Sequence, residues 1–308
     1  MPIALAGGIR ATILSIVGLE LLPFFSTPEA CSLRLVCREF VGAIADVRWR
    51  DGLTVIKGDL GRWRACFPRA LTANVSRRLD LVDADFVHLA GLHTLSMGQC
   101  MQVTDAAFAH LRGIHTLDMR GCSQPTITNA AFTHLRGIHT LDMCECSQAN
   151  ITDTAFASLR GIRMLLMWEC RQPTITDAAF AHLRGIHTLE MGMCSQATIT
   201  DAAFAHLRGI QKLDITLCNQ VTDAAFVHLV GIHTLDMSYC YQATITNAAF
   251  AHLRGIRTLR MRSCNQATIT SEALPHLAGI SSLEMWHCRA KVIVSARALG
   301  LPVVITSY

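Results

Sequence analysis

The chain has 308 residues, of which 51% are hydrophobic and 16% are charged, a composition that excludes a disordered, highly solvated protein. The formal charge of +4 is dispersed along the chain, so the sequence predicts no nucleic-acid partner. The most apolar stretch, residues 11–25, is shorter than a spanning helix and is interrupted by Glu20 and Pro23, so it predicts no membrane segment.

The first 52 residues share no period with the rest of the chain. They predict two or three amphipathic helices, with a break at Pro23 and a turn at residues 26–28. This segment resembles an F-box, and the resemblance rests on Pro28, Glu29, Ala30, Leu33, residues 36–40 (VCREF) and Trp49. A helical cap that only protects the first repeat is the alternative interpretation, because repeat arrays need capped ends.

From Leu89 onward the chain repeats one unit, seen at residues 111–134 as LRGIHTLDMRGCSQPTITNAAFTH. Within it, Ile114, Leu117, Met119 and Cys122 give the pattern L-x-x-L-x-L-x-x-C, which resembles the leucine-rich repeat in its cysteine form. The ladder cysteines follow one another at intervals of 22 or 24 residues: Cys100, Cys122, Cys146, Cys170, Cys194, Cys218, Cys240, Cys264 and Cys288.

Each unit predicts a strand, a loop, a helix and a turn. Alternating apolar residues predict a short strand, and Asp201 is predicted to N-cap a helix that runs through Phe204 and Leu207. Gly209 then suits the left-handed position after the helix. Because one unit cannot bury its own apolar face, stacking predicts an α/β parallel-stranded solenoid, a horseshoe whose concave sheet has nine strands and extends about 40 Å.

The ends of the array depart from the repeat, as caps do. Residues 53–56 and 79–81 (LDL) predict earlier strands, residues 295–299 a short helix, and residues 303–306 a closing strand. We therefore expect two parts: a small all-α segment over residues 1–52 and the solenoid with its caps over residues 53–308.

An F-box followed by cysteine-type leucine-rich repeats resembles the F-box/LRR family, whose members are substrate receptors of Skp-cullin-F-box ubiquitin ligases. The resemblance implies a Skp-type adaptor, and through it a cullin, on the N-terminal helices, and a protein substrate on the concave face. It implies a cytoplasmic or nuclear location. The adaptor-binding side chains it implies are Leu22, Phe24, Phe25, Leu33, Val36 and Phe40. The alternative is a free-standing leucine-rich-repeat scaffold or inhibitor whose N-terminal helices are only a cap.

The repeats are near copies, and the outward strand positions and the two residues before each ladder cysteine vary most. We expect these positions to line the concave face, where aromatic and Arg side chains are candidate binding anchors. The apolar strand of Met164 to Trp168 beside the basic residues 257–262 would suit a partner with an apolar anchor and nearby acidic groups. Neutral drift in a duplicated array is the alternative. The candidate substrate-binding residues are Arg120, Leu166, Trp168, Glu169, Met193, Leu217, Tyr239, Arg260, Arg262 and Trp286.

The repeated Cys and His residues invite metal, redox or catalytic interpretations, which their placement disfavours. The 13 Cys are an odd number, which favours a reduced, intracellular chain over a disulfide framework, and only Cys144 and Cys146 are near neighbours, so no metal site is expected. A redox-active thiol protein is a third, weaker hypothesis. The 14 His recur in columns, which favours inheritance by duplication, and we expect acidification below pH 6 to destabilise the array.

No catalytic motif stands out, and only the first 52 residues lie outside the repeats, fewer than the roughly 100 of a typical catalytic domain. We therefore predict a non-enzymatic chain that needs no cofactor.

Overall fold

The structure, a computed structural model, describes residues 25–35 and 38–305. In this part of the chain, eleven parallel strands form one open sheet in sequence order, and a short helix or turn follows each repeat strand. This arrangement confirms the leucine-rich-repeat solenoid. The strands are β1 (Thr72–Asn74), β2 (Thr94–Ser96), β3 (Thr116–Asp118), β4 (Thr140–Asp142), β5 (Met164–Leu166), β6 (Thr188–Glu190), β7 (Lys212–Asp214), β8 (Thr234–Asp236), β9 (Thr258–Arg260), β10 (Ser282–Glu284) and β11 (Val303–Val304).

Helices precede, separate and follow the strands. The α-helices are α1 (Thr27–Arg34), α2 (Arg38–Asp46), α3 (Leu60–Cys66), α4 (Asp105–Phe108), α5 (Asn129–Phe132), α6 (Asp153–Phe156), α7 (Asp177–Phe180), α8 (Asp201–Phe204), α9 (Asp223–Phe226), α10 (Asn247–Phe250) and α11 (Ala290–Ala298). The 3₁₀ segments are Asp83–Leu89, Ala109–Leu111, Thr133–Leu135, Ala157–Leu159, Ala251–Leu253 and Ser271–Leu277.

The strands pair so that equivalent residues of successive repeats stack on each other. Leu117 lies beside Leu141, which lies beside Leu165. Seven Phe side chains form a parallel column at the helices, each fully buried: Phe108, Phe132, Phe156, Phe180, Phe204, Phe226 and Phe250. Since each apolar group is covered by its own copies in the neighbouring repeats, the core is continuous along the array.

A polar link joins each short helix to the next repeat. The Oγ1 of Thr200 accepts the Ala202 N–H at 3.2 Å, so Thr200 is the N-cap of α8 rather than Asp201. Asp201 is the first helical residue, and its carboxylate accepts the backbone N–H and the hydroxyl of Thr222 in the next repeat, at 2.9 and 2.6 Å. α8 also ends at Phe204, before Leu207, while Gly209 has the predicted left-handed conformation with φ +84°.

The two ends of the array differ from the sequence-based prediction. Residues 79–81 form a turn with Leu79 59% exposed, and the strand lies earlier, at β1. Residues 53–56 contribute only a bridge from Val55 to Asn74. At the other end, α11 begins at Ala290 rather than at residue 295, and the predicted closing strand is present as β11.

The described part of the N-terminal segment shares its core with the array. Trp49 is buried and stacks on Phe67, with ring centroids 4.7 Å apart. Its indole N–H donates to Thr27 Oγ1 at 3.1 Å, and Thr27 in turn donates through its N–H and hydroxyl to the Asp51 carboxylate. Partial burial favours a raised pKa for Asp51, but hydrogen bonds from Thr54, and then those from Thr27, lower it to about 2. The network fixes the start of α1 on the first turn of the solenoid.

Candidate functional site

The outward side of the sheet is a surface of repeated columns, which we call the strand face. In each repeat it consists of the first and third strand residues and the residue two positions further on, such as Thr116, Asp118 and Arg120. Their neighbours Leu117 and Met119 point into the core and are fully buried. The columns place equivalent side chains of successive repeats side by side, about 4.8 Å apart.

Of the two variable residues before each ladder cysteine, the first lies on the strand face and the second lies in a turn. The turn residue has a left-handed backbone, with φ of 61° at Glu169 and Met193 and 59° at Leu217 and Tyr239. Its N–H donates to a carbonyl of the next repeat, as Met193 does to Thr216 at 2.7 Å. These four predicted substrate-binding residues therefore belong to the rim of the strand face rather than to the strands.

Acidic side chains dominate the third strand position, and most basic residues of the strand face are paired with them. Arg120 contacts Asp142 at 2.5 Å, and Lys212 contacts Glu190 at 2.6 Å. In β9 and β10, Arg260 and Arg262 both contact Glu284, at 2.8 and 2.5 Å. Burial favours a raised pKa for Glu284, but the hydrogen bonds from these two guanidinium groups leave the pKa lowered.

These ion pairs neutralise only part of the predicted basic strip. Arg260 and Arg262 share the one carboxylate of Glu284, so the three groups together keep a net positive charge, and the two arginine side chains are 39% and 32% exposed. Among the described residues, Asp118, Asp214 and Asp236 have no cation at ion-pair distance. Burial raises the pKa of Asp118 and Asp214, and a neighbouring carboxylate adds to the shift in each case.

One strand interrupts the acidic column with apolar side chains. In β5 the three strand-face positions hold Met164, Leu166 and Trp168, with Met164 37% and Trp168 39% exposed. The Trp168 indole lies directly over Gly192 of the next repeat, because a methyl group built on Gly192 would overlap the indole ring. The sequence analysis did not select Gly192 as a site residue. Its indication in the sequence is a Gly at the strand-face position that holds Trp168 in the preceding repeat.

The other predicted aromatic anchors lie apart from this strand. Tyr239 is 38% exposed on the rim beside β8. Trp286 lies at the far end of the strand face, where its ring packs edge-on against His287 with centroids 4.0 Å apart. The structure therefore does not bring Trp168 and Trp286 into one cluster.

The adaptor-binding residues are only partly visible. Leu22, Phe24 and Val36 lie outside the described residues. Phe25, Leu33 and Phe40 are half-buried and pack against the core of the array, so they offer less free apolar surface than the sequence suggested.

Different apolar side chains are exposed near these helices. Leu35 at the end of α1 is 90% exposed, and Leu53 is 94% exposed. An apolar cleft of about 660 Å³ also lies between α1 and α3, with Pro28, Cys31, Ile56, Trp63 and Phe67 among its walls. No sequence period marks Leu35, Trp63 or Phe67, which is why the sequence did not identify them as part of this surface.

The ladder cysteines are buried donors within the core. Cys146 donates its thiol to the Met119 carbonyl of the preceding repeat at 3.3 Å, and Cys170 donates to Met143 at 3.1 Å. Burial raises the pKa of the ladder thiol of Cys122 to about 12 and those of Cys146 and Cys170 well above the usual value. Burial also raises the pKa of Cys144, which lies outside the ladder, to about 12. A raised pKa suppresses the thiolate, which argues against redox reactivity. In the part of the chain that the structure describes, no three His, Cys, Asp or Glu side chains converge as a metal site.

The histidines form the columns that the repeat predicts. The rings of His93, His115 and His139 stack at 4.4 Å between successive centroids. In the second column, Arg112 Nε donates to His134 Nδ1 at 3.3 Å, and Arg160 makes the same contact with His182. The columns are thus contacts between repeats.

Comparisons with known proteins concern the fold. No protein-family model matches the sequence, and no curated protein is similar to it. A chain in the structure of the Toll–Spatzle complex of Drosophila matches with a TM-score of 0.56 and 12% identity, over 84% of this chain and 39% of that chain. The glycosylated form matches with a TM-score of 0.49 and 15% identity, over 77% and 39%.

A chain in the structure of the Rad7 and Elc1 complex in yeast matches with a TM-score of 0.41 and 13% identity, over 77% of this chain and 81% of that chain. The similarity to the Toll–Spatzle chain with a TM-score of 0.56 shows a shared fold, and identities this low carry no functional assignment. None of the helices in residues 25–35 and 38–305 combines the length and apolar character needed to cross a bilayer.

Proposed function

We propose that this leucine-rich-repeat solenoid is the substrate-recognition subunit of a Skp-cullin-F-box ubiquitin ligase. In this role the N-terminal helices bind a Skp-type adaptor and the strand face binds a protein substrate. The observation that supports the proposal is the joining of an F-box-like helical segment and an open strand face on one continuous core. The role is non-catalytic, requires no cofactor, and belongs in the cytoplasm or the nucleus.

The adaptor side of the proposal rests on exposed apolar groups near the F-box-like motif. Leu35 and Leu53 are almost fully exposed, and burying one Leu side chain in an interface contributes about 1.5–3 kcal/mol. They are better test positions than Leu33 and Phe40, since a charge at those half-buried positions would also disturb the core.

The test is affinity purification of the tagged full chain followed by mass spectrometry. Skp and cullin subunits should copurify with the unmodified chain and with Leu79→Asp, a control at an exposed Leu outside the helical segment. The double variant Leu35→Asp with Leu53→Asp should lose them while keeping an unchanged melting temperature. Undiminished recovery with the double variant would contradict the assigned adaptor surface.

The second candidate is a free-standing binding scaffold whose N-terminal helices cap the first repeat. This candidate is favoured because the N-terminal helices pack into the core of the array through buried Ala30, Ile44 and Trp49. Thr27 also donates two hydrogen bonds to Asp51. Absence of Skp and cullin from the purification of the unmodified chain would support the scaffold and overturn the ubiquitin-ligase proposal.

A further inference from the structure

The apolar surface at β5 includes Trp168, two residues after the strand, whose indole packs on Gly192 of the next repeat. The Trp168 indole can occupy its position over the next repeat only because position 192, two residues after β6, is Gly. Equivalent positions in nearby repeats hold Cys144, Thr216 and Ser238, whose side chains would obstruct the indole. Met164, Leu166 and Trp168 therefore form one exposed apolar platform, which is suited to an apolar anchor residue of a partner.

Acidic side chains continue the strand face from this platform toward β8. Glu190 in β6 is paired with Lys212. Beyond it, Asp214 and Asp236 are adjacent across the β7–β8 pair. Each accepts a backbone N–H of its own turn, from Thr216 at 2.8 Å and Ser238 at 2.9 Å. Neither is in ion-pair contact with any described cation.

The opposite flank of the platform differs because it supplies its own cation. Asp118 and Asp142 also form an adjacent carboxylate pair, across β3 and β4. There Arg120 contacts Asp142 at 2.5 Å and stands two residues beyond Asp118 on the same strand face. On the β8 side, Arg260 lies beside Asp236 across the β8–β9 pair, but its guanidinium donates to Glu284. The carboxylates of Asp214 and Asp236 therefore have no hydrogen-bonded cation among the described residues and can accept one from a partner.

From these observations we propose that the strand face selects a protein segment with an apolar residue seated on Met164, Leu166 and Trp168 and a Lys or Arg seated between Asp214 and Asp236. This deepens the substrate-binding half of the proposed function and rests on it. The distance from β5 to the middle of the β7–β8 pair is two and a half strand spacings, about 12 Å. An extended chain rises about 3.3 Å per residue, so the two anchors are separated by about four residues.

The test is a selection of random twelve-residue peptides on the purified full chain, followed by affinity measurements on the selected peptides by fluorescence polarisation. Selected sequences should combine an apolar residue with a Lys or Arg three to five residues away. Replacing that base by Glu should lower affinity about tenfold or more, and raising the salt concentration should weaken binding of the parent peptide. Selection of acidic or uncharged sequences would overturn the proposal.

Matched variants locate the bound peptide. Trp168→Ala should lower affinity about tenfold or more, and Asp214→Asn with Asp236→Asn should do the same. Gly192→Ala should lower affinity by about threefold to tenfold, because it displaces the indole without removing it. Asp118→Asn, at the equivalent position of a distant repeat, should change affinity by less than about twofold. An equal loss in this matched control would also overturn the proposal.

The assay uses the purified chain without adaptor, so its outcome is independent of Skp and cullin capture. Failure of the peptide experiment with normal adaptor recovery would reject the substrate chemistry alone. Loss of adaptor recovery with normal peptide binding would reject the ligase assignment alone.

Discussion

The two sides of the repeat strands differ in how much their residues vary. On the buried side, the middle residue of every strand from β2 to β10 is a fully buried Leu. On the outward side, the third residue is Ser, Asp, Leu, Glu or Arg. A buried Leu packs between two copies of itself, so a change in its size disturbs the contacts on both sides. Most outward residues of the strands are at least partly exposed to solvent, with Asp142 and Thr188 as buried exceptions, so side chains of the strand face can change without altering the core.

The largest expected effect on stability comes from opening the buried side. Phe180→Ala in the middle of the Phe column should lower the free energy of unfolding by about 3–5 kcal/mol, because it leaves a cavity in the core at a fully buried position. Denaturant unfolding followed by circular dichroism measures the loss. Val230→Ala, at a 64% exposed site, is the control and should change stability by less than about 0.5 kcal/mol. Similar losses in both variants would contradict the contrast between the two sides.

A smaller effect is expected from the polar links between repeats. Asp177 accepts the N–H and the hydroxyl of Thr200, both at 2.7 Å, and Asp177→Ala should cost about 0.5–1.5 kcal/mol per hydrogen bond lost, because the exposed donors can then bond to water. Asp177→Asn should cost less than about 1 kcal/mol, since Asn129 and Asn247 already make the equivalent bonds in this chain. Equal costs for the two variants, measured by denaturant unfolding, would show that the link contributes little.

The third prediction concerns acidification. Burial, together with the adjoining rings of His93 and His139, lowers the pKa of His115 from its usual 6.5. The unfolded chain therefore binds this proton more readily than the native one, so the stability contributed by neutral His115 is complete above pH 6.5 and is lost as the pH falls below it.

Accordingly, the melting temperature should be lower at pH 5.5 than at pH 7.5. Nuclear magnetic resonance titration should give His115 a pKa below 6.5 that moves toward 6.5 in the His93→Asn and His139→Asn double variant. An unchanged melting temperature between the two pH values would contradict the prediction.

The periodic part of the fold could be predicted from the sequence because each repeat confirms the next. The L-x-L pattern and the ladder cysteines located β2 to β10, but β1 reads Thr-Ala-Asn and lacks the pattern, whereas residues 79–81 carry it and form a turn. The N-cap was assigned to Asp201 instead of Thr200 because both are polar and adjacent. The choice between them depends on Thr222 in the next repeat, a contact that no single unit reveals.

The sequence predicted which variable residues lie on the strand face, but it did not predict how their charges pair. Variation between repeats identified Trp168, Arg260 and Arg262 as surface positions, and the structure places all three on the strand face. That both arginines contact Glu284 depends on which residues lie side by side in neighbouring strands. The repeat pattern in the sequence does not contain this information. The same holds for Gly192, whose importance depends on the ring that crosses it.

Because equivalent residues pair in register, the contacts between neighbouring repeats do not depend on how many repeats the array contains. If a complete unit of 24 residues were excised between two ladder cysteines, the newly adjacent strands would still present Leu to Leu, and Asp or Asn to Thr. The interior would close without a misfit, whereas any two recognition groups on either side of the excision would move nearer by one strand width, about 4.8 Å. Unequal recombination in such a gene can therefore change the spacing between the groups that bind a ligand while leaving the fold intact.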